Sequence, residues 1–131
     1  MSDIEHAPAL LRLARRDFNA LVGMEHSSLV ADEIFGFHAQ QAIEKTMKAL
    51  ICQQGQIYPL THDLSRLMSL LVGLGVDMDR YGLLDQYTVF AVEARYLESD
   101  PDQNEPLDRA AVIATVQALL EGADVVLAAS D

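Results

Sequence analysis

The stretch Phe37-His38-Ala39-Gln40-Gln41-Ala42-Ile43-Glu44-Lys45-Thr46-Met47-Lys48-Ala49-Leu50 decides the fold class. Ile43, Met47, Leu50 and the following Ile51 recur at three- and four-residue steps, which makes one apolar helix face. Gln41, Lys45 and Lys48 keep the same step and share the opposite face. The period extends the helix from about Leu29 to Gln54. Gly55 follows where a left-handed C-terminal residue is expected. Gly36 falls inside the pattern. It marks either a close helix–helix approach or a weak point costing about 1 kcal/mol against Ala.

The same period runs outward in both directions. Ala7, Leu11, Ala14, Phe18 and Leu21 form a stripe on a first helix from about Pro8 to Glu25, with Arg12, Arg15, Arg16 and Asn19 away from it. His26-Ser27-Ser28 breaks it. Past the Pro-broken Gln56–Leu60 stretch, Thr61 is the expected N-cap of a third helix, helped by Asp63. Its apolar face is Leu64, Leu67, Met68, Leu70 and Leu71, and Gly73 and Gly75 end it. A fourth helix is expected from about Arg80 to Glu98, capped by Asp77 or Asp79, with Leu84, Tyr87, Ala91 and Ala94 on one face. An acidic loop, Ser99–Asn104, contains Pro101 and precedes a last helix from about Pro106 to Ala128. Ala110, Ile113, Val116, Gln117, Leu120, Ala123 and Leu127 carry its period. The expected fold is all-α, an up-and-down antiparallel bundle of about five helices in a single domain over residues 1–131.

Composition narrows the function. The chain has 131 residues, 50% hydrophobic and 22% charged, which is globular rather than disordered. Nine basic residues face 20 acidic ones, a net charge of -11. A field of that sign repels phosphate, so bulk DNA, RNA and anionic membranes are not expected partners. The single cysteine, Cys52, excludes an intramolecular disulfide and suits a reducing cytoplasm. The start, Met-Ser-Asp-Ile-Glu-His, lacks the basic and apolar runs of a signal peptide. No uninterrupted apolar run reaches the length of a membrane span. The expected location is cytoplasmic.

Few residues stand out for chemistry. Lys45 and Lys48 are the chain's only lysines. On one stripe of an acidic protein they form a local positive site able to hold a phosphate, and hence a nucleotide, as point charges. The structural alternative is a solvated face with Glu44 and Lys48 as an ordinary i,i+4 pair. His38 and His62 are candidate acids or bases. The alternative for each is a histidine hydrogen-bonded to its surroundings. Arg95 and Tyr96 are candidates for a phosphate clamp and a ligand-facing ring. Their structural alternatives are a favourable charge at a helix C-terminus and a core aromatic. No metal site is expected: His-x-x-x-His and Glu-x-x-His are absent, and one cysteine cannot anchor a structural zinc. Gly-rich phosphate loops and Gly-x-Ser-x-Gly elbows are absent too.

These residues resemble a known family. Phe37-His38-Ala39-Gln40-Gln41-Ala42, Glu44-Lys45 and Lys48-Ala49-Leu50 look like the signature helix of the HEPN domain (higher eukaryotes and prokaryotes nucleotide-binding). Thr61-His62-Asp63-Leu64 resembles that family's Thr-His-Asp-Leu helix start. Ala94-Arg95-Tyr96 resembles its Ala-Arg-Tyr-Pro segment, and Leu13-Ala14 with Arg16-Asp17-Phe18 its opening helix. The resemblance implies a helical bundle, a homodimer with polar residues near its cleft, and in bacteria a companion minimal nucleotidyltransferase in a toxin–antitoxin-like pair. It also implies that many members are metal-independent RNases. In those members an Arg activates or holds the phosphate, and a His four to six residues later serves as acid/base.

The sequence departs from that pattern at the decisive place. After Arg95 the corresponding positions hold Asp100, Pro101 and Asp102, and no other Arg has a His at that spacing. Leu97 stands where the family has Pro. Acidic neighbours of Arg95 would repel an RNA backbone. The first expectation is therefore a non-enzymatic module: a homodimer that binds a nucleotide or supports a nucleotidyltransferase, with Gln41, Lys45, Lys48, Arg95 and Tyr96 at its polar site and no cofactor. The alternatives are an atypical RNase toxin using His38 or His62, and a structural dimer without a small ligand. The last helix favours a dimer independently, because Val112, Ile113, Val116, Leu119, Leu120, Val125 and Val126 make it apolar on more than one side.

Overall fold

A computed structural model describes residues 3–91 and 106–129. Four α-helices span Asp3–Met24 (α1), Asp32–Gln53 (α2), Leu64–Gly73 (α3) and Arg109–Ala128 (α4). Two 3-10 helices, Asp79–Tyr81 and Leu84–Phe90, lie between α3 and α4. The described residues contain no strand, so the all-α expectation holds. α2 is the central helix, packed against α1, α3, α4 and the second 3-10 helix. Fourteen of its 22 residues are buried. A helix enclosed on so many sides has no wholly solvated face, and that fact sets up the site.

The glycine stops behave as the sequence predicts. Gly55 and Gly75 take φ of 76° and 87°. After α2, Gly55 donates to the Cys52 carbonyl and Gln56 to Ile51; after α3, Gly75 donates to Val72 and Val76 to Leu71. Both are Schellman closures, in which a left-handed residue lets two amides reach back to orphan carbonyls. Gly36 marks a close approach: the Phe90 ring lies where a Cβ would stand.

Several boundaries differ from expectation. α1 begins at Asp3 with Pro8 inside it, so the helix tolerates one lost amide donor in its second turn. The cap of α3 is Asp63, whose carboxylate accepts from the Ser65 amide at 3.0 Å; Thr61 instead accepts from the Asp63 amide at 3.1 Å. The next orphan donor, the Leu64 amide, reaches the Thr88 hydroxyl at 3.0 Å. The expected fourth helix is two 3-10 pieces as far as residue 90, because Gly82 at φ 80° turns the chain between them. Leu84, Tyr87 and Ala91 are buried nonetheless. Ala94 and the remainder of that expected helix lie outside the described residues.

α4 begins at Arg109 rather than Pro106, because Asp108 caps it by accepting from the Ala111 amide at 3.1 Å. Its inward side is Val112, Val116, Leu119, Leu120 and Ala123, while Ala110 and Gln117 face solvent. By length and composition α4 is apolar enough to cross a membrane. In this fold it packs on α1 and α2.

One arginine fastens the bundle. Arg109, at the start of α4, uses all five guanidinium N–H groups. They donate to Asp32 Oδ1 (3.1 and 3.0 Å) and to the carbonyls of Met24 (2.7 Å), Ser27 (3.1 Å) and Val30 (2.6 Å). The guanidinium also sits 5.0 Å from the Phe35 ring centre. Asp32 Oδ2 accepts from the Leu107 amide at 3.0 Å. The α1–α2 turn, the first turn of α2 and the approach to α4 are thus tied at one point.

Candidate functional site

The polar residues of α2 lie on successive turns and face inward. Gln40, Glu44, Thr46 and Lys48 are all buried, Glu44 to 4% exposure and Lys48 to 8%. The expectation of a solvated Glu44–Lys48 surface pair is therefore corrected. α3 and the segment leading into it cover this side of α2, so the pair sits out of water. Burying two charges costs several kcal/mol per ion unless each finds partners. The partners are present. Glu44 Oε2 accepts from Lys48 Nζ at 2.8 Å. Glu44 Oε1 accepts from Gln40 Nε2 at 2.8 Å and meets His62 Nδ1 at 2.8 Å.

A second layer holds that hub. Gln40 Nε2 also donates to the His62 carbonyl at 3.2 Å, and Gln41 Nε2 donates to Gln40 Oε1 at 2.7 Å. Lys48 Nζ stands 5.2 Å from the Tyr58 ring centre, a cation–π contact strengthened by desolvation. Tyr58 stacks on His6 with ring centres 6.3 Å apart. The segment between α2 and α3 is thus held to the bundle largely by polar groups, while its apolar Ile57 and Leu60 stay exposed.

Electrostatics follow from the contacts. Burial pushes the Glu44 carboxyl up, but hydrogen bonds from Lys48, Gln40 and His62 and the Lys48 charge outweigh it and hold it below the ordinary carboxylate value. An ionised Glu44 can only accept, so the hydrogen bond places a proton on His62 Nδ1. In neutral His62 the other nitrogen, Nε2, is then an acceptor with no partner among the described residues, on a side chain 45% exposed.

The second lysine belongs to a different carboxylate. Lys45 Nζ donates to Asp17 Oδ2 at 2.6 Å, and His38 Nδ1 meets Asp17 Oδ1 at 2.9 Å. This group joins α1 to α2, with its three side chains between 12% and 33% exposed. The two lysines therefore share one helix side but not one counter-ion. Two lysines balance two carboxylates, and the local positive site expected from the lysine stripe is neutralised within the chain.

Gln41, Lys45, Lys48, His38 and His62 all lie in these two adjoining groups. Arg95 and Tyr96 fall outside the described residues. Asp17, Glu44, Tyr58 and His6 complete the site, and sequence reasoning did not select them as site residues. Asp17 did carry a signal. It keeps phase with Leu10, Ala14 and Leu21, and a charge in phase with an apolar stripe needs an internal partner. Arg109 and Asp32 had no such signal, because their partners are distant in sequence. Among the described residues, no group of three His, Cys, Asp or Glu side chains is placed to hold a metal ion.

Comparison with known proteins agrees with the residue pattern. The family model of the HEPN domain matches residues 7–124. Searches of curated proteins and of solved structures give no match. The matched span runs from the first turns of α1 to the last turns of α4 and takes in both polar groups on α2. By that match this all-helical chain belongs to the HEPN domain family.

Proposed function

We propose that this HEPN chain is a homodimeric, cytoplasmic partner module that supports a companion minimal nucleotidyltransferase in a toxin–antitoxin-like pair. The observation that carries this reading is charge balance. Lys45 and Lys48 already hold Asp17 and Glu44 at 2.6 and 2.8 Å. A nucleotide phosphate would have to share each lysine with a carboxylate that already neutralises it, which weakens the attraction of the site for a further anion. Nucleotide binding at Gln41, Lys45, Lys48, Arg95 and Tyr96 is thus the weaker arm of the reading. The missing Arg–His spacing argues in the same direction against the family's usual RNase chemistry.

The test is direct. Calorimetric titration with ATP, GTP and their mono- and diphosphates should give no micromolar binding. The chain should form a stable complex with a nucleotidyltransferase encoded beside it. Micromolar nucleotide binding that disappears in Lys45→Ala/Lys48→Ala would overturn the charge-balance argument and make this a nucleotide site.

One observation favours a second reading. His62, oriented through Nδ1 by Glu44 and open at Nε2, has the arrangement of a general base. An atypical metal-independent RNase would use it. RNA left uncut by the purified chain across pH 5–9 removes that reading; cleavage abolished by His62→Gln establishes it. A dimer without any small ligand predicts no thermal shift with nucleotides and no complex with a nucleotidyltransferase.

A further inference from the structure

A second concave site lies away from the α2 polar network. A cleft of about 700 Å³ opens between the C-terminal ends of α2 and α3, the first 3-10 helix and the C-terminal half of α4. That volume falls within the range of small-molecule sites. Its apolar lining comes from Leu50, Val76, Val125, Val126 and the Tyr81 ring. Three small residues, Gly75, Ala118 and Gly122, also line it. Gly75 can bear no side chain without strain at φ 87°. At Gly122 the Tyr81 hydroxyl occupies the place of a Cβ, so the cleft wall depends on that glycine.

The polar groups of the cleft differ in how far they are satisfied. Asp77 Oδ1 accepts from the Asp79 amide at 3.1 Å, and Glu121 Oε1 accepts from Gln117 Nε2 at 3.1 Å. Arg80 makes no hydrogen bond or ion pair among the described residues; its contact is with the Tyr81 ring, 5.6 Å from the centroid. Arg109 in the same fold has all five N–H groups occupied, whereas Arg80 keeps its planar fork open beside an apolar wall. A guanidinium fork matches a carboxylate in bidentate geometry, and a stacked guanidinium loses less freedom on binding.

We infer that this cleft binds an amphipathic organic monocarboxylate, its head group on Arg80 and its apolar body against Leu50, Val76, Val125 and Val126. Asp77 and Glu121 also line the cleft; against their charges the Arg80 fork can offset a single negative charge, so the head group is a monoanion.

The experiment uses the full chain and three probes of one total carbon count: octanoate, octanol and octylamine. NMR titration should show octanoate shifting the amides of Gly75, Gly122 and Val125, with at least tenfold tighter binding than octanol or octylamine. Arg80→Ala should weaken octanoate at least tenfold and leave octanol unchanged. Arg80 is exposed, so the variant should keep the wild-type melting curve. Val125→Asp should weaken octanoate and octanol together. The inference is overturned by octanoate failing to bind at millimolar concentration, by shifts elsewhere on the molecule, by equal binding of octylamine, or by undiminished affinity in Arg80→Ala.

Discussion

Arg109 and Glu44 are each the centre of a buried or half-buried ionic group, yet they are built differently. Arg109 spends three of its five hydrogen bonds on backbone carbonyls and the other two on Asp32. Glu44 is held by three side chains and by no backbone amide. Backbone carbonyls move only if the chain moves, so the Arg109 group is a fastening of the fold. Side chains can change partner, and one partner of Glu44, His62, reaches solvent. The contrast teaches where to seek function in a molecule with several ion pairs: the centre that side chains alone hold together, with a titratable one reaching solvent, can respond to a ligand or a proton.

The largest test of that contrast is Arg109→Ala. It strands three carbonyls and leaves Asp32 with the Leu107 amide, and breaking a largely buried charged pair costs about 3–5 kcal/mol. Urea unfolding should lose that amount, and Arg109→Lys should restore only a minority of it because an ammonium cannot span the same fork. A loss under 1 kcal/mol would mean that the turn is held by other contacts.

Next in size is Glu44→Gln, which keeps shape but removes the charge that Lys48 needs. At neutral pH it should lose about 1–3 kcal/mol, the range for a broken charged hydrogen bond with a buried partner left behind. The pH dependence has a definite sign. Glu44 is held below its ordinary value of 4.5, so its contribution is full above that value. The contribution is lost as pH falls below it, through the depressed folded value. Denaturation curves from pH 7 to pH 2 should therefore show a steeper acid loss in the wild type than in Glu44→Gln. Parallel curves would show that Glu44 is not the hub.

The smallest effect calibrates the other two. Arg15 and Asp124 pair at 2.7 Å between α1 and α4, with about half of each side chain in water (46% and 49%). Exposed pairs contribute about 0–1 kcal/mol. Arg15→Ala should lower the unfolding free energy measured in urea within that range and lose its effect in 0.5 M salt. A larger loss would place solvent-exposed pairs on the same footing as the buried ones and erase the distinction.

Much of the fold was legible because its signals are local. Apolar residues three and four apart placed the helices, and Gly55 and Gly75 ended two of them, since a left-handed residue is easiest for glycine. The stretch around Gly82 was the clearest misreading. Leu84, Tyr87 and Ala91 keep helical spacing and are buried, yet the chain coils as 3-10 turns, and spacing at three or four residues fits either form. The site was half legible. His38, Gln41, Lys45, Lys48 and His62 were chosen on type and spacing. Their partners were not, because Asp17 lies 28 residues from Lys45 and Glu44 lies 18 from His62.

The sequence by itself determined an all-helical HEPN chain, where most helices stop, and which side chains are chemically able to act. It also determined that no Arg is followed by a His after four to six residues, since such spacing is a property of order along the chain. Tertiary structure decided whether those side chains are free. It enclosed α2 between α1, α3 and α4, turned an apparent surface stripe inward, and gave each lysine a carboxylate of its own. The physical reason is that charge and burial are set by neighbours in space. A lysine in water and a lysine against a buried carboxylate have the same sequence spacing, and only packing tells them apart.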